Sequence, residues 1–346
     1  MEGLGRSMKE IKIASLFSGC GGIDLGVKGG FTYLGKHYPE HNAKVVYAND
    51  IDEKICDLFD HNFDIKIDRR DVRNIKANEI PKHDMLIAGF PCQSFSILAQ
   101  NPPRLGFKDD RGRLFFEVLR ILKHHGPKYF ILENVKGLLS ANKGKAFPLI
   151  LEQLRSSGYD VSYKVLNAKD FGVPQKRERV IIVGWKKELA LNYDFSFLEI
   201  VGKPTPLSRV LEKRIDPKYF FSEKAVQGMI RSNAQTNGIM NKGRAQNPTQ
   251  PCNTVTAHLA KVTLNGTDPV FIEDDKYRRF TPREVARIQS FPDSYELIGS
   301  DTTKYKALGN AVPPVMFWHI FQSIQKAIAS KQKKQVSAKS DFDLAL

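Results

Sequence analysis

Short apolar runs that alternate with helix-like stretches constrain the fold of this chain more than any other feature of its sequence. Five runs of strand length, rich in β-branched and aromatic residues, fall at 11–18, 43–48, 84–90, 128–133 and 179–185. Helical periodicity lies between them: Leu114, Val118 and Ile121 recur on one face before Gly126 ends the helix. Strands alternating with helices predict a doubly wound α/β fold whose mostly parallel sheet is covered on both faces.

The alternation stops after residue 185. The stretch 186–270 is rich in Asn, Gln, Thr, Gly and Pro, and loops of that length are uncommon in compact domains unless they are functional. Order returns at Thr281, where Pro282 and Glu284 complete a capping box, and a last helix begins near Pro314. We therefore predict a main domain at 8–185, a smaller irregular domain at 186–275, a segment returning to the main domain at 276–330 and a flexible tail at 331–346.

Charge and cysteine content narrow the function classes. The chain has 53 Lys and Arg against 38 Asp and Glu, a net charge of +15, which favours a polyanionic partner such as nucleic acid but also fits a merely soluble basic surface. There is no apolar stretch of membrane-spanning length and no secretory signal. The four cysteines form no C-x-x-C pair, so we expect no structural metal and a reduced, cytoplasmic protein.

A Pro-Cys pair interrupts the chain where the third apolar run ends, in the sequence "GFPCQSFS" at 89–96. Open α/β sheets bind ligands at the carboxyl ends of their strands, so we expect the Cys92 sulfur at such an edge. Other polar residues adjoin later runs, namely Glu133, Asn134, Gln175, Arg177 and Arg179. Singly, each fits an ordinary role as a buried thiol, a helix cap or a solvated charge run. Together, near successive strand ends, they indicate a catalytic site.

The turns after the first strands have the features of an adenosine site. Glycines follow the first strand at positions 19, 21, 22 and 26, but Asp24 stands where the G-x-G-x-x-G pattern needs its third glycine. Asp50 ends the second strand 31 positions after Gly19, against about 20 in the dinucleotide fingerprint. Asp71 follows a presumed third strand. Acidic and glycine-bearing turns without a pyrophosphate cradle argue against NAD and for S-adenosylmethionine (SAM).

These motifs, taken together and in order, resemble those of the cytosine-C5 DNA methyltransferases of bacterial restriction–modification systems. The resemblance spans about 11–325 and rests on "FSGCGG", "GFPCQSFS", "ENV", "QKRER", "RRFTPREVARIQSFP" and "LGNAVPP". It implies a Rossmann-like, SAM-dependent methyltransferase fold with a smaller irregular target-recognition domain in the place of 186–270. The implied reaction moves a methyl group from SAM to C5 of a cytosine flipped out of a specific duplex sequence, leaving S-adenosylhomocysteine (SAH), without a metal.

The resemblance also implies the catalytic roles. Cys92 attacks C6 of the base and forms a transient adduct, which makes C5 nucleophilic. Glu133 shares a proton with N3, Arg177 contacts O2, and Arg179 positions Cys92 or Glu133. The base that removes the C5 proton is not visible in the sequence.

Cofactor and DNA contacts are carried over from the resemblance in the same way. The implied cofactor-binding residues are Phe17, Gly19, Cys20, Gly21, Gly22, Asp50, Ile51, Asp71, Val72, Pro91, Leu114 and Asn310. The implied DNA-binding residues are Gln93, Ser96, Arg111, Arg231, Lys242, Arg244 and Thr254. The family usually has an aromatic residue where Ile51 stands and often Glu at Asp50, so stacking on adenine should be weaker here. We expect 94–112 to be a loop that closes over DNA.

Two other functions stay open from the sequence. One branch of the family methylates tRNA with the same catalytic motifs, although its Cys-Phe-Thr signature is absent here. A non-catalytic DNA-binding protein with the same fold is the other. For the preferred function the partners are double-stranded DNA and a cognate restriction endonuclease encoded nearby, and the location is the cytoplasm, at the nucleoid when DNA is bound. The recognised DNA sequence cannot be read from the residues.

Overall fold

The fold comes from a computed structural model, which describes residues 9–91, 114–200, 203–231, 244–260, 269–273 and 276–343. The strands are β1 Ile11–Leu16, β2 Phe31–Tyr33, β3 Lys36–Tyr38, β4 Ala43–Asn49, β5 Met85–Ala88, β6 Tyr129–Val135, β7 Tyr159–Asn167, β8 Gln175–Lys176, β9 Glu178–Lys186, β10 Cys252–Asn253, β11 Phe271–Glu273 and β12 Lys276–Arg278. The helices are α1 Gly22–Lys28, α2 Glu53–Asn62, α3 Leu114–His125, α4 Ala146–Ser156, α5 Glu223–Arg231, α6 Pro282–Ile288, α7 Asp301–Asn310 and α8 Pro314–Asp343.

Six of the strands form one sheet in the order β4-β1-β5-β6-β9-β7. The strands β4, β1, β5 and β6 run parallel, and β9 is antiparallel to both of its neighbours. Leu16 lies opposite Ala88, and Ala88 lies opposite Leu132. The carboxyl ends of the three strands therefore meet at one edge, and the chain enters the Cys92 turn directly after β5.

Helices cover both faces of this sheet, as the alternating pattern predicts. On one face α1 and α8 pack on side chains that include Ile13, Ile87 and Val183. On the other face α3 and α4 pack on Leu86, Leu132 and Ile182. The central strands are almost fully buried, and each such aliphatic side chain stabilises the fold by about 1.5–3 kcal/mol. The mostly parallel, doubly wound α/β prediction is confirmed.

The capping box at the start of α6 is also confirmed. The Thr281 hydroxyl accepts a hydrogen bond from the Glu284 backbone N–H at 3.1 Å, and Glu284 Oε2 accepts one from the Thr281 backbone N–H at 2.9 Å. Pro282 occupies the first helical position, where a missing N–H costs nothing because that group has no intrahelical partner.

One predicted strand is absent, and one strand of the sheet was not predicted. No strand precedes Asp71 in this described stretch: Asp68 makes one isolated bridge to Asn49, and Asp71 caps a short 3-10 turn. The sheet instead gains the edge strand β7, whose side chains are mostly half exposed. Glu133 and Asn134 lie at the end of β6, as predicted, because β6 continues only to Val135 alongside β9.

The segment after β9 contains short elements with few hydrogen-bonded strands in its described residues. It is attached to the sheet domain where β10 pairs with β8, with Cys252 opposite Gln175. The last helix continues to Asp343, past the predicted boundary at 331; the domain boundaries and the flexibility of the tail stay predictions. Among the residues that the structure describes, no helix is long and apolar enough to cross a membrane.

Candidate active site

The turn after β1 is held in a left-handed backbone conformation. Phe17, Gly19 and Gly21 have φ angles of 56°, 55° and 80°, a region that favours glycine. A Cβ on Gly21 would lie 2.2 Å from the Phe63 ring, so packing fixes that position. A Cβ on Gly19 would have nothing within 4 Å, so the turn has an open side at Gly19. This open backbone is the kind of surface that a ligand can approach closely.

Asp50 and Ile51 stand beside this open turn, at the end of β4. Asp50 Oδ2 accepts a hydrogen bond from the Gly19 N–H at 2.9 Å, and Oδ1 accepts one from the Asp52 N–H at 3.0 Å. Burial raises the pKa of Asp50 above its ordinary value. Ile51 is 61% exposed, although it is a large apolar side chain. A fixed carboxyl next to an exposed apolar surface suits the ribose hydroxyls and the adenine face of SAM.

Other predicted cofactor residues surround the same end of the sheet, with one complication at Asp71. Arg73 binds both oxygens of Asp71, with the closest contact at 2.5 Å, and this pairing lowers the pKa of Asp71. An adenine amino group would therefore share or displace that ion pair. Val72 is buried and Leu114 is partly buried in the same apolar cluster, whereas Pro91 and Asn310 are exposed.

Cys20 contributes to this turn through its backbone. Its carbonyl accepts a hydrogen bond from the Tyr295 hydroxyl at 2.7 Å, which anchors the turn to the C-terminal segment. Its thiol is buried, and burial raises the pKa of that thiol to about 12. The Cys20 side chain is accordingly an unreactive packing group.

The strongest electrostatic feature is a buried ion pair between neighbouring strands. Arg179 Nε lies 2.8 Å from Glu133 Oε1, and the two side chains are only 11% and 9% exposed. Burial raises the pKa of Glu133, while the positive charges of Arg179 and Arg177 oppose that rise. Glu133 Oε2 would lie 3.3 Å from a Cβ built on Gly89, so its carboxyl reaches the turn that leads to Cys92.

Asn134 fixes the same turn from β6. Its side-chain N–H donates to the Phe90 carbonyl at 2.8 Å, and its side-chain oxygen accepts from the Val135 N–H at 2.9 Å. Phe90 stands two positions before Cys92. This positioning contact was not predicted, because the sequence shows only that Asn134 adjoins Glu133 and not that β6 lies beside β5.

Arg177 is buried and bound by backbone carbonyls, and it lies near enough to Glu133 for the two charges to interact. Its Nη1 donates to the Val255 carbonyl at 3.1 Å, its Nη2 donates to the Gly309 carbonyl at 3.0 Å, and the residue is 1% exposed. The backbone carbonyls therefore hold both ends of this guanidinium. In this arrangement Arg177 connects three parts of the chain, whereas Arg179 lies beside Glu133; the contact of Arg177 with O2 stays a prediction.

Gln175 has a similar connecting position. Its Nε2 donates to Gln289 Oε1 at 2.8 Å, and its Oε1 accepts from the Val255 N–H at 3.0 Å. The residue is fully buried. The "QKRER" stretch thus contains two buried residues that attach the later segments and one, Arg179, that contacts the predicted catalytic acid.

The predicted DNA-binding residues are only partly described. Arg244 is 4% exposed, so contact with DNA would require it to leave a buried position. Thr254 is partly exposed, and its hydroxyl donates to the Lys176 carbonyl at 2.7 Å. Five predicted residues and one side chain lie outside the described part of the chain: Cys92, Gln93, Ser96, Arg111, Lys242 and the side chain of Arg231. The predicted closing loop at 94–112 lies outside it as well.

The chain is similar to characterised proteins along most of its length. It is 34% identical over 366 residues to the Type II methyltransferase M.FnuDI of Fusobacterium nucleatum, covering 96% of this chain and 100% of that protein. It is 36% identical over 340 residues to the Type II methyltransferase M.NlaX of Neisseria lactamica, covering 95% and 98%.

Solved structures show the same fold at low sequence identity. The Dnmt2 methyltransferase of S. pombe superposes with a TM-score of 0.72 at 21% identity, covering 91% of this chain and 99% of that one. The methyltransferase EhMeth of Entamoeba histolytica gives a TM-score of 0.72 at 18% identity, covering 94% and 99%. The family model described as C-5 cytosine-specific DNA methylase matches residues 11–326. The chain therefore belongs to the C-5 cytosine-specific DNA methylases and is a DNA cytosine-5-methyltransferase.

Proposed function

We propose that this methyltransferase acts on a cytosine flipped out of duplex DNA, through a transient bond between Cys92 and C6 of that base. The observation that carries the proposal is the buried Glu133–Arg179 pair, because Glu133 lies beside Gly89, three positions before Cys92. Cytosine C5 is a poor nucleophile while its electrons are delocalised in the ring. Addition of a thiolate at C6 breaks that delocalisation and makes C5 able to accept a methyl group. A base inside the duplex cannot reach this pocket, so it must leave the stack.

Glu133 has the environment that this chemistry needs. Addition at C6 pushes negative charge toward N3, and an acid that holds a proton near neutral pH can neutralise that charge. Burial raises the pKa of Glu133, which favours the protonated form that N3 needs. Arg179, at 2.8 Å, keeps the carboxyl in one orientation. We infer that Arg179 also contacts O2, together with Arg177, whose terminal nitrogens bind backbone carbonyls.

The residues at the cofactor turn fit SAM. The open backbone at Gly19, the Asp50 carboxyl and the exposed Ile51 form adjacent surfaces for the polar and aromatic parts of an adenosine group. When bound, SAM supplies an electrophilic methyl group on a sulfonium. The role of the chain is to hold that group at the edge that also presents Cys92 and Glu133, and to exclude water from it.

The biological role that we infer is protection of host DNA from a cognate restriction endonuclease in the cytoplasm. The Type II methyltransferases to which the chain is similar at 34% and 36% identity support this role. The net charge of +15 suits binding to DNA and to the nucleoid. The target sequence depends on side chains that meet base edges, and most of the predicted ones lie outside the described residues.

Transfer of labelled methyl groups tests this function directly. Purified protein with labelled SAM is offered mixed-sequence duplex DNA in one reaction and bulk tRNA in another. We expect label in the duplex as 5-methylcytosine, and none with Cys92→Ser. Bisulfite sequencing of DNA from cells that express the chain then identifies the methylated site. Label in tRNA alone, or equal transfer by the serine variant, would contradict the proposal.

A further inference from the structure

A buried acid behind the cofactor turn has no part in the chemistry described above. Asp24 is the third residue of α1 and is fully buried. Neither oxygen of its carboxyl makes a well-formed hydrogen bond within the described part of the chain, although the Ser15 hydroxyl lies near enough to favour the ionised form. A buried carboxyl without donors is costly in its ionised form, so its presence needs a physical explanation.

Asp24 is directly connected to the turn that approaches the cofactor. Strand β1 presents Ser15 toward it, and the Ser15 hydroxyl accepts a hydrogen bond from the Ser18 hydroxyl at 2.9 Å. Ser18 belongs to the turn, where its backbone N–H donates to the Asn49 carbonyl at 3.0 Å. Asp24 thus follows Gly19 by five positions and is connected through Ser15 to Ser18, the residue directly before the open backbone.

The charged and titratable groups around Asp24 come from three elements. Asp50, after β4, repels a negative charge on Asp24. Cys20, in the turn, and Tyr295, in the C-terminal segment, both sense the charge of Asp24. Where α1 meets α8, the close neighbours of Gly26 are Pro314 and Phe317 together with the backbone of Trp318, which carry no charge. The surroundings therefore oppose ionisation of Asp24.

The protonation of Asp24 is balanced near neutral pH. Burial raises the pKa of Asp24 to about 7, repulsion from Asp50 adds to that rise, and the Ser15 hydroxyl opposes it. The neutral acid can donate a hydrogen bond to Ser15, whereas the carboxylate can only accept one. A modest change in local charge is enough to move Asp24 from one form to the other.

We propose that Asp24 senses the charge of the ligand in the cofactor cleft, so that binding of the cationic donor SAM releases its proton to solvent whereas binding of the product SAH does not. This inference rests on the proposed use of SAM. SAM carries a sulfonium, an ammonium and a carboxylate, for a net charge of +1, and SAH lacks the sulfonium charge. A positive charge beside this turn is screened little by salt at a buried group, so it favours the ionised form of Asp24.

The consequence is discrimination between donor and product. Because linkage is reciprocal, a ligand that favours loss of a proton binds more tightly as the pH rises through the pKa of that group. We therefore expect SAM affinity to rise about fourfold between pH 6 and 7.5 if SAM lowers the pKa of Asp24 by about one. SAH affinity should change less than about twofold over that range, which eases the release of product as the pH rises.

Calorimetric titration measures this coupling without relying on turnover. The protein is titrated with SAM, with SAH and with sinefungin, in which a protonated amine replaces the methyl sulfonium, in two buffers of different ionisation enthalpy at pH 6.5 to 7. We expect about half a proton released with SAM and with sinefungin, and close to none with SAH. Equal release by SAM and SAH would overturn the inference.

The matched variant is Asp24→Asn, which keeps the shape of the side chain and removes its charge. It should bind SAM without releasing a proton, and its SAM affinity should not depend on pH through this group. Ionisation of the ligand itself is the same for both proteins, so it cancels when the variant is compared with wild type. Unchanged proton release in Asp24→Asn would overturn the inference. If that variant fails to fold, the wild-type contrast between SAM and SAH still decides. Failure of the wild-type protein to bind either ligand is a separate result, which would contradict the proposed cofactor.

Discussion

The catalytic edge of the sheet and the predicted recognition segment (residues 186–275) are built in different ways. Glu133 and Arg179 lie on strands of the main sheet, and Asp50 comes directly after one. In the described residues of the recognition segment, by contrast, the regular elements are helix α5, strands of two or three residues and short 3-10 turns. Rigid strands hold the residues whose chemistry needs fixed distances. The residues predicted to recognise the DNA sequence lie instead on elements that can vary without disturbing the sheet.

The two regions also differ in what stabilises them. Many apolar side chains bury the sheet on both faces. The recognition segment depends additionally on buried polar contacts with the segment that follows it, where the Arg278–Glu284 ion pair has both side chains 0% exposed. Glu284 Oε1 also accepts a hydrogen bond from the Glu212 backbone N–H at 3.0 Å. Loss of one polar group should therefore affect this segment more than loss of one apolar group affects the sheet.

Of the variants proposed here, Arg278→Met should change the stability of the protein most. It leaves the Glu284 carboxylate buried without its bidentate partner, and we expect the free energy of unfolding to fall by about 3–5 kcal/mol. Urea unfolding measures this change, and proteolysis should cut first between residues 186 and 275. The control is Arg287→Met, which breaks an exposed pair with Asp293 and should cost less than about 1 kcal/mol. Equal losses of unfolding free energy in Arg278→Met and Arg287→Met would contradict the proposed dependence of the recognition segment on buried polar contacts.

The variant Glu133→Gln tests the catalytic edge. The amide cannot share a proton with N3, so we expect the rate of methyl transfer to fall about 100- to 1000-fold while SAM binding stays unchanged. The matched control is Glu178→Gln on the same sheet, because Glu178 is an exposed partner of Lys136. Its rate should stay within about threefold of wild type. A fall of less than tenfold in Glu133→Gln would show that this acid is not needed.

Acid should weaken the sheet domain through His319 on α8. This residue is 3% exposed, neither ring nitrogen has a partner in the described structure, and burial lowers its pKa to about 4. Because the folded pKa lies below the unfolded value of about 6.5, the stabilisation is complete above pH 6.5 and is lost as the pH falls toward 4.

The size of this loss follows from the pKa difference. It approaches about 3 kcal/mol at pH 4 and about 2 kcal/mol at pH 5. In His319→Phe, the difference in unfolding free energy between pH 7.5 and 5 should shrink by about 2 kcal/mol, as measured by denaturant titration at both pH values. The exposed His37→Phe should leave that difference unchanged. No change in the buried variant would exclude His319 as the cause.

The smallest expected effect is at Ile51. This side chain is 61% exposed, so Ile51→Trp should leave the melting temperature almost unchanged. A larger aromatic surface should bind adenine about two- to tenfold more tightly, and Ile51→Ala should bind it more weakly than wild type. Titration with SAM measures both. Equal affinities in the three proteins would show that Ile51 does not contact the cofactor.

Local patterns were sufficient to predict much of the fold. The apolar runs, the capping box at Thr281 and the start of α8 near Pro314 all follow from nearby residues. The edge strand β7 was missed because its half-exposed polar side chains lack an apolar run. The residues directly before Asp71 do not form the predicted third strand, and the chain there enters a short 3-10 turn that Asp71 caps.

Within the site, the residue types were predictable but their partners were not. Arg177 is held by carbonyls that lie 78 and 132 positions away, and the sequence contains no signal for such contacts. The Arg73 ion pair at Asp71 and the Asn134 contact with Phe90 likewise depend on how neighbouring elements pack. In the sequence, Asp24 stands out only as a departure from a glycine pattern. That its carboxyl is buried without a well-formed hydrogen bond becomes visible only in the fold.

A covalent trap tests the central claim most directly, because it detects the bond at the catalytic edge itself. Wild-type protein, SAM and duplex DNA containing 5-fluorocytosine are mixed, and the denatured products are weighed by mass spectrometry. Fluorine at C5 blocks the final elimination, so the wild-type chain should remain attached to the DNA through the peptide that contains Cys92, and Cys92→Ser should not. An adduct that survives in the serine variant, or methylated DNA without any adduct in the wild type, would contradict the account.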